Sequence, residues 1–280
     1  MKHTDLAFER LAGEPAIWVT VDATKGSVPR DAGTWMAVFA DTVVGTIGGG
    51  HVEHQAMAQA RRRLAGETGP AVLRFALGPS LGQCCGGVMM LRLELVDHTS
   101  IATLQTRLDS TRTPLALFGG GHVGHALVDV LARLPFAVTW IDSRESVLPT
   151  HTARSVVCEH SEPVQAAVAE LAPGSAVLIM SFSHAEDLDI VAACLQRLRR
   201  TDDLPYIGLI GSKTKWASFR HRLSERGFCD DELARVICPI GLAGVPGKEP
   251  EVIAVAVAAQ LLQWRPRLES ASRAGEPALK

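Results

Sequence analysis

Leu115-Ala116-Leu117-Phe118-Gly119-Gly120-Gly121-His122-Val123-Gly124 is an apolar run that breaks into glycines and then opens an amphipathic pattern. Four consecutive apolar residues read as a strand buried on both faces, and residues 122–134 read as a helix. The glycines fit G-x-G-x-x-G in the one context that gives the pattern meaning, between a strand and a helix. Gly119 permits the tight turn, Gly121 leaves space for a phosphate against the backbone, and Gly124 lets helix and strand approach closely. The amides around Gly120, His122 and Val123 then face an anion. Asp142 ends the next strand about 20 residues on, where an acidic residue of such a unit meets a ribose hydroxyl.

Outward from this motif the same grammar repeats. Apolar runs at 137–141, 155–158, 176–180, 206–210 and 236–240 alternate with helical patterns at 164–171, 188–198, 215–226 and 252–264. That alternation predicts an α/β chain whose C-terminal domain, residues 114–265, is a Rossmann-like doubly wound parallel sheet. Residues 1–97 differ. Short runs at 16–21, 35–39, 43–47, 72–77 and 88–95 surround one helical stretch that ends near Leu64, so a smaller, strand-rich α+β N-terminal domain is expected. Residues 98–113 are polar and weakly periodic and read as a linker, with room for one short helix. Residues 266–280 read as a flexible tail.

Ligands of open α/β sheets sit at the carboxyl ends of the strands. There the sequence offers Ser181, Ser183, His184 and Asp187, then Gly211, Ser212 and Lys213. Lys213 is either a second anion contact or a solvated lysine in the first turn of a helix. His184 is either a proton donor in a pocket or a loop cap.

The first domain carries a second glycine loop, Gly48-Gly49-Gly50-His51-Val52-Glu53, with Glu53 standing where the other loop has Gly124. It is no second dinucleotide fingerprint; Gly49 and Gly50 either present amides to an anion or make a structural turn. Arg30, in Lys25-Gly26-Ser27-Val28-Pro29-Arg30, adds a cation that is equally at home in a solvated turn. Gly82-Gln83-Cys84-Cys85-Gly86-Gly87 sets adjacent thiols between glycines. Thiolates suit molybdenum, copper or sulfur-transfer chemistry, whereas free cysteines more often end as buried, inert thiols.

Composition narrows the function. Apolar residues are 47% and charged residues 21% of 280, a globular balance. Lys plus Arg 28 against Asp plus Glu 30, with eight Phe, five Trp and one Tyr, supply neither a basic surface nor stacking platforms for nucleic acid. No nucleic-acid or membrane partner is expected, since the longest apolar stretch is shorter than a bilayer span. Lys2, Asp5, Glu9 and Arg10 leave no apolar core for a secretory leader, and the six cysteines form no disulfide framework, so a cytoplasmic location is expected.

Taken in order, these blocks resemble the XdhC/CoxI-type family, accessory proteins that prepare molybdenum cofactor for xanthine dehydrogenase and related molybdenum hydroxylases. The resemblance rests on Gly26-Ser27-Val28-Pro29-Arg30, on Gly45 to Glu53, on the Cys84-Cys85 segment and on the Gly119 to Gly124 loop. It continues through Trp140-Ile141-Asp142-Ser143-Arg144, through Tyr206 to Lys213, and through Pro239-Ile240-Gly241-Leu242 with Gly247-Lys248. It implies a non-catalytic or weakly catalytic carrier that binds molybdopterin, presents it to a cysteine desulfurase for sulfuration and delivers it to the hydroxylase. It also implies a homodimer. On this reading the pterin phosphate sits on the Gly119 to Gly124 loop, with Arg144 as a further phosphate contact, while Cys84 or Cys85 contacts molybdenum. Asp142 is the residue a ribose would want, which sustains the alternative of an NAD(P)-dependent oxidoreductase with His184 as proton relay and Lys213 near the substrate. A protein-binding scaffold without a small ligand would leave both glycine loops incidental.

Overall fold

A computed structural model describes residues 3–77 and 86–274 of the chain. It divides into two compact units, Met1–Thr111 and Arg112–Lys280.

In the first unit β1 (Ala16–Lys25), β2 (Trp35–Val38), β3 (Val43–Gly45), β4 (Val72–Ala76) and β5 (Val88–Val96) form an antiparallel sheet in the order β3-β2-β1-β5-β4. Side chains alternate across a strand. Ile17, Val19 and Val21 therefore join Val52, Ala56 and Ala60 of α2 (Gly50–Leu64) in one core. Ala16 and Trp18 join Ala7, Phe8 and Leu11 of α1 (His3–Leu11) in another, where the rings of Trp18 and Trp35 stack at 4.2 Å.

The stretch read as a linker with room for one short helix holds α3 (Ile101–Asp109), capped by Asp97 through the preceding turn. Its Leu104 is buried in the Trp18 core with Ile101 and Leu108 alongside, an apolar stripe at i, i+3 and i+7 narrow enough to be hidden by the surrounding Ser and Thr.

The second unit is a six-stranded parallel sheet. Its strands are β6 (Thr113–Phe118), β7 (Phe136–Asp142), β8 (Val156–His160), β9 (Ala176–Ile179), β10 (Tyr206–Leu209) and β11 (Val236–Ile237). The order is β11-β10-β9-β6-β7-β8, so the chain starts in the middle, builds one half outward through β7 and β8, then returns beside β6 to build the other. This is the doubly wound order expected from the sequence, and its switch point lies between β6 and β9. Ala116 and Phe118 face a core shared with α5 (His184–Thr201) and α6 (Lys213–Glu225). Leu115 and Leu117 face the opposite core, built on α4 (His122–Leu131) and α8 (Pro250–Ala274). A four-residue helix, α7 (Asp230–Leu233), precedes β11.

Two boundaries differ from the sequence reading. Residues 164–170 form a 3-10 helix in place of an α-helix. Helix α8 continues to Ala274, past the point where apolar periodicity stops. No helix among the described residues is long and apolar enough to cross a membrane.

Candidate functional site

The glycine loop joins β6 to α4 at the switch point. Gly119 has φ +125°, and a Cβ there would stand 2.0 Å from the carbonyl oxygen of Met180, the residue after β9. The loop is therefore seated directly against the end of the neighbouring strand. A Cβ on Gly124 would stand 2.1 Å from the Gly119 carbonyl oxygen, which the Trp140 indole N–H also bonds at 3.0 Å. These two positions are glycine because backbone occupies the space.

Gly121 is different. Its φ of −80° suits any residue, and a Cβ there would meet nothing within 4 Å. The fold itself does not demand glycine at 121. Helix α4 has no side-chain cap, and the amides of Gly121, His122 and Val123 have no partner among the described residues. The first-turn amides of a helix cannot be satisfied within it, and they carry its positive dipole end. An open, uncapped start at a strand's carboxyl end is the arrangement that takes a phosphate.

The neighbouring helices close their own starts. Ser183 accepts the Glu186 amide at 3.2 Å and caps α5; Ser212 accepts the Lys215 amide at 3.1 Å and caps α6. His184 is exposed at the first turn of α5, its ring edge-on to Phe219. Lys213 is exposed. The buried lysine is Lys215, one helical step further, which donates to Asp187 at 2.6 Å and to the Ile210 carbonyl at 2.8 Å. Asp187 also accepts the amide and hydroxyl of Ser181. This pair ties the starts of α5 and α6 together beneath the ends of β9 and β10.

Asp142 is almost wholly buried and fully engaged. Its Oδ2 accepts the Gly120 amide at 2.6 Å and Arg144 Nη2 at 3.0 Å. Its Oδ1 accepts the Arg144 amide at 2.8 Å and Nε at 2.9 Å. Burial opposes the charged carboxylate, yet the hydrogen bonds from Arg144 and Gly120 outweigh it and hold the group below its ordinary pKa. A carboxylate offers about four acceptor positions, and the loop and Arg144 take them all. Arg144 then lies over the ring of Phe182, 4.4 Å from its centre.

In the first unit Glu53, at the motif position of Gly124, binds its own glycine loop through its carboxylate. Its Oε2 accepts from the Thr46 hydroxyl, from the Ile47 amide at 2.9 Å and from the Gly49 amide at 3.0 Å. Burial works against the charge, but these bonds lower its pKa. Gly49 and Gly50, at φ +76° and +71°, make the left-handed turn that brings this about. Arg30 is exposed; with Pro29 it packs over Gly48, while the Gly87 amide donates to the Ser27 carbonyl at 3.0 Å. The segments around Arg30, Gly48 and Gly87, far apart in sequence, thus meet. Cys84 and Cys85 lie outside the described residues. Among the described residues no group of three or more His, Cys, Asp or Glu is placed to hold a metal ion. Burial raises the pKa of the Cys158 and Cys238 thiols and pushes that of Cys194 up to about 12.

The family model described as the XdhC Rossmann domain matches residues 115–261, and that described as the XdhC and CoxI family matches residues 10–76. The chain belongs to the XdhC/CoxI family. A crystal structure described as a xanthine dehydrogenase (BH1974) from Bacillus halodurans is 21% identical to this XdhC-family chain, covers 99% of it and 98% of its own, and superposes with a TM-score of 0.74. At that identity the likeness speaks for the fold. The uncharacterized protein YqeB of Escherichia coli (strain K12) is 27% identical over 247 residues, 86% of this chain. The chain spans 42% of that relative's length.

Proposed function

We propose that this XdhC-family chain is an accessory protein of xanthine dehydrogenase or a related molybdenum hydroxylase: it holds molybdenum cofactor for sulfuration by a cysteine desulfurase and passes it to the hydroxylase. The observation that carries the reading is the start of α4. Gly121 is open, and among the described residues the first-turn amides have no partner and no side-chain cap. A phosphate monoester, such as molybdopterin carries, is the group such an end accepts.

Asp142 favours the pterin over a dinucleotide. An adenine-side ribose would need a free acceptor at that carboxylate, and Arg144 and Gly120 occupy it. The doubled contact of Arg144 also keeps a cation beside the loop. Cys84 and Cys85 are proposed to meet the molybdenum, where soft thiolate ligands belong. A homodimer in the cytoplasm is the assembly and location proposed with it.

The test is purification from cells that make the cofactor, followed by acid treatment and fluorescence. Release of an oxidised pterin from wild type, with reduced release from Cys84→Ala/Cys85→Ala, is the expected result. Tight NAD(P)H binding with no released pterin would replace the carrier with an oxidoreductase.

A further inference from the structure

Phe182 stands out at the switch point. It follows β9 by three residues, in the turn whose Met180 carbonyl abuts Gly119, and it is 67% exposed. It is the one aromatic ring among the large apolar side chains found exposed in the described residues. Its position is linked to the glycine loop by a continuous chain of contacts: Gly120 to Asp142, Asp142 to Arg144, and the Arg144 guanidinium over the Phe182 ring. Because Asp142 holds Arg144 by three bonds, Arg144 in turn gives the ring a fixed seat.

Within electrostatic reach of Arg144 is a carboxylate with spare capacity, Glu186. Ser183-His184-Ala185-Glu186 has the sequence of a capping box, in which Glu186 would return to the Ser183 amide. Instead Glu186 Oε1 accepts the Ser143 hydroxyl at 2.6 Å, in the turn between Asp142 and Arg144. Its Oε2 is buried with no partner among the described residues. A buried acceptor left unpaired is unfavourable unless a donor arrives.

We infer that Phe182, backed by Arg144, is the stacking platform for the planar heterocycle of the ligand, and that Glu186 Oε2 accepts from N–H groups on that heterocycle's edge. The ligand class is a flat, donor-edged ring carrying a phosphate, with the phosphate at Gly121. This inference rests on the pterin reading above and extends it to the ring. Stacking is tolerant of ring identity, so the platform supplies affinity and the Glu186 acceptor supplies selectivity for a ring with amide and amine donors.

The experiment titrates the full-length, cofactor-free protein with 6-hydroxymethylpterin monophosphate and, separately, with inorganic phosphate. Phe182→Ala is expected to weaken the pterin phosphate about 10-fold or more, the effect of one lost stack, and to leave inorganic phosphate unchanged. Phe182→Trp is expected to keep the affinity and to show indole quenching on binding. Glu186→Gln is expected to weaken the pterin phosphate and not inorganic phosphate. Undiminished pterin-phosphate affinity in Phe182→Ala, with Gly121→Val still weakening it, overturns the platform and leaves the carrier reading standing. Wild type that prefers the pterin phosphate no more than inorganic phosphate also overturns the platform. Wild type that binds neither overturns both.

Discussion

The Asp142 carboxylate and the Gly120 amide meet at 2.6 Å, which makes the acid at the end of β7 a clamp on the glycine loop. The clamp is completed by Arg144, whose guanidinium donates to both oxygens of the same carboxylate. Asp142→Ala removes the acceptor for a buried amide and is expected to cost about 1–3 kcal/mol of stability. Denaturant titration checks this, and a variant as stable as wild type would free Asp142 for another role.

Gly124 and Gly121 separate packing from binding. Gly124→Ala sets a methyl 2.1 Å from the Gly119 carbonyl oxygen, where only backbone movement relieves it; destabilisation of about 3 kcal/mol or more is expected from such overpacking. Gly121→Ala meets nothing and keeps an ordinary φ. Its stability is expected within about 1 kcal/mol of wild type, the poorer cap offset by a less flexible unfolded chain. Thermal melts of the two variants test the contrast.

Lys215 and Asp187 have side chains only 11% and 3% exposed and form a pair at 2.6 Å. Lys215→Met strands a buried carboxylate and is expected to cost about 3 kcal/mol or more. Asp187→Asn keeps an acceptor for Ser181, so the double variant Lys215→Met/Asp187→Asn is expected to lose less than the sum of the singles. Additive losses in the cycle would mean that the two groups are not coupled.

Asp203 gives a pH signature. Bonds from Arg197, which also holds the Val168 and Leu171 carbonyls, push its carboxyl down to about 2. A folded pKa below the unfolded value of about 3.9 stabilises the fold above that value, and the contribution is lost as pH falls through the folded pKa. The stability gap between wild type and Asp203→Asn is therefore expected to be full at neutral pH, about 1–2 kcal/mol, and to close between about pH 4 and 2. A gap independent of pH would assign the loss to packing.

The sheet of the second unit is legible in the sequence because each strand is a continuous apolar run and each crossover a helical one, and Gly119 to Gly124 fall where the switch point must be. Helix α1 is not, and α3 is legible only as a short helix in a linker, since each sets three or four apolar residues among polar neighbours and packs them in the Trp18 core. Lys213 and Lys215 differ only in helical register, which Ser212 as cap decides. Nothing in the sequence shows that Arg144 folds back on Asp142, because a contact between side chains two residues apart leaves no periodic pattern. A lone phenylalanine such as Phe182 has no pattern at all until its exposure is seen.

The amount of pterin retained by purified Gly121→Val, compared with wild type from the same cofactor-producing cells, bears most directly on the start of α4 as the phosphate seat. A Cβ there meets nothing within 4 Å, so the larger side chain projects toward the space a ligand would take. Retention reduced about 10-fold or more, the loss expected when a charge-assisted contact is blocked, in a variant that still unfolds cooperatively, is the predicted result; full retention would contradict it.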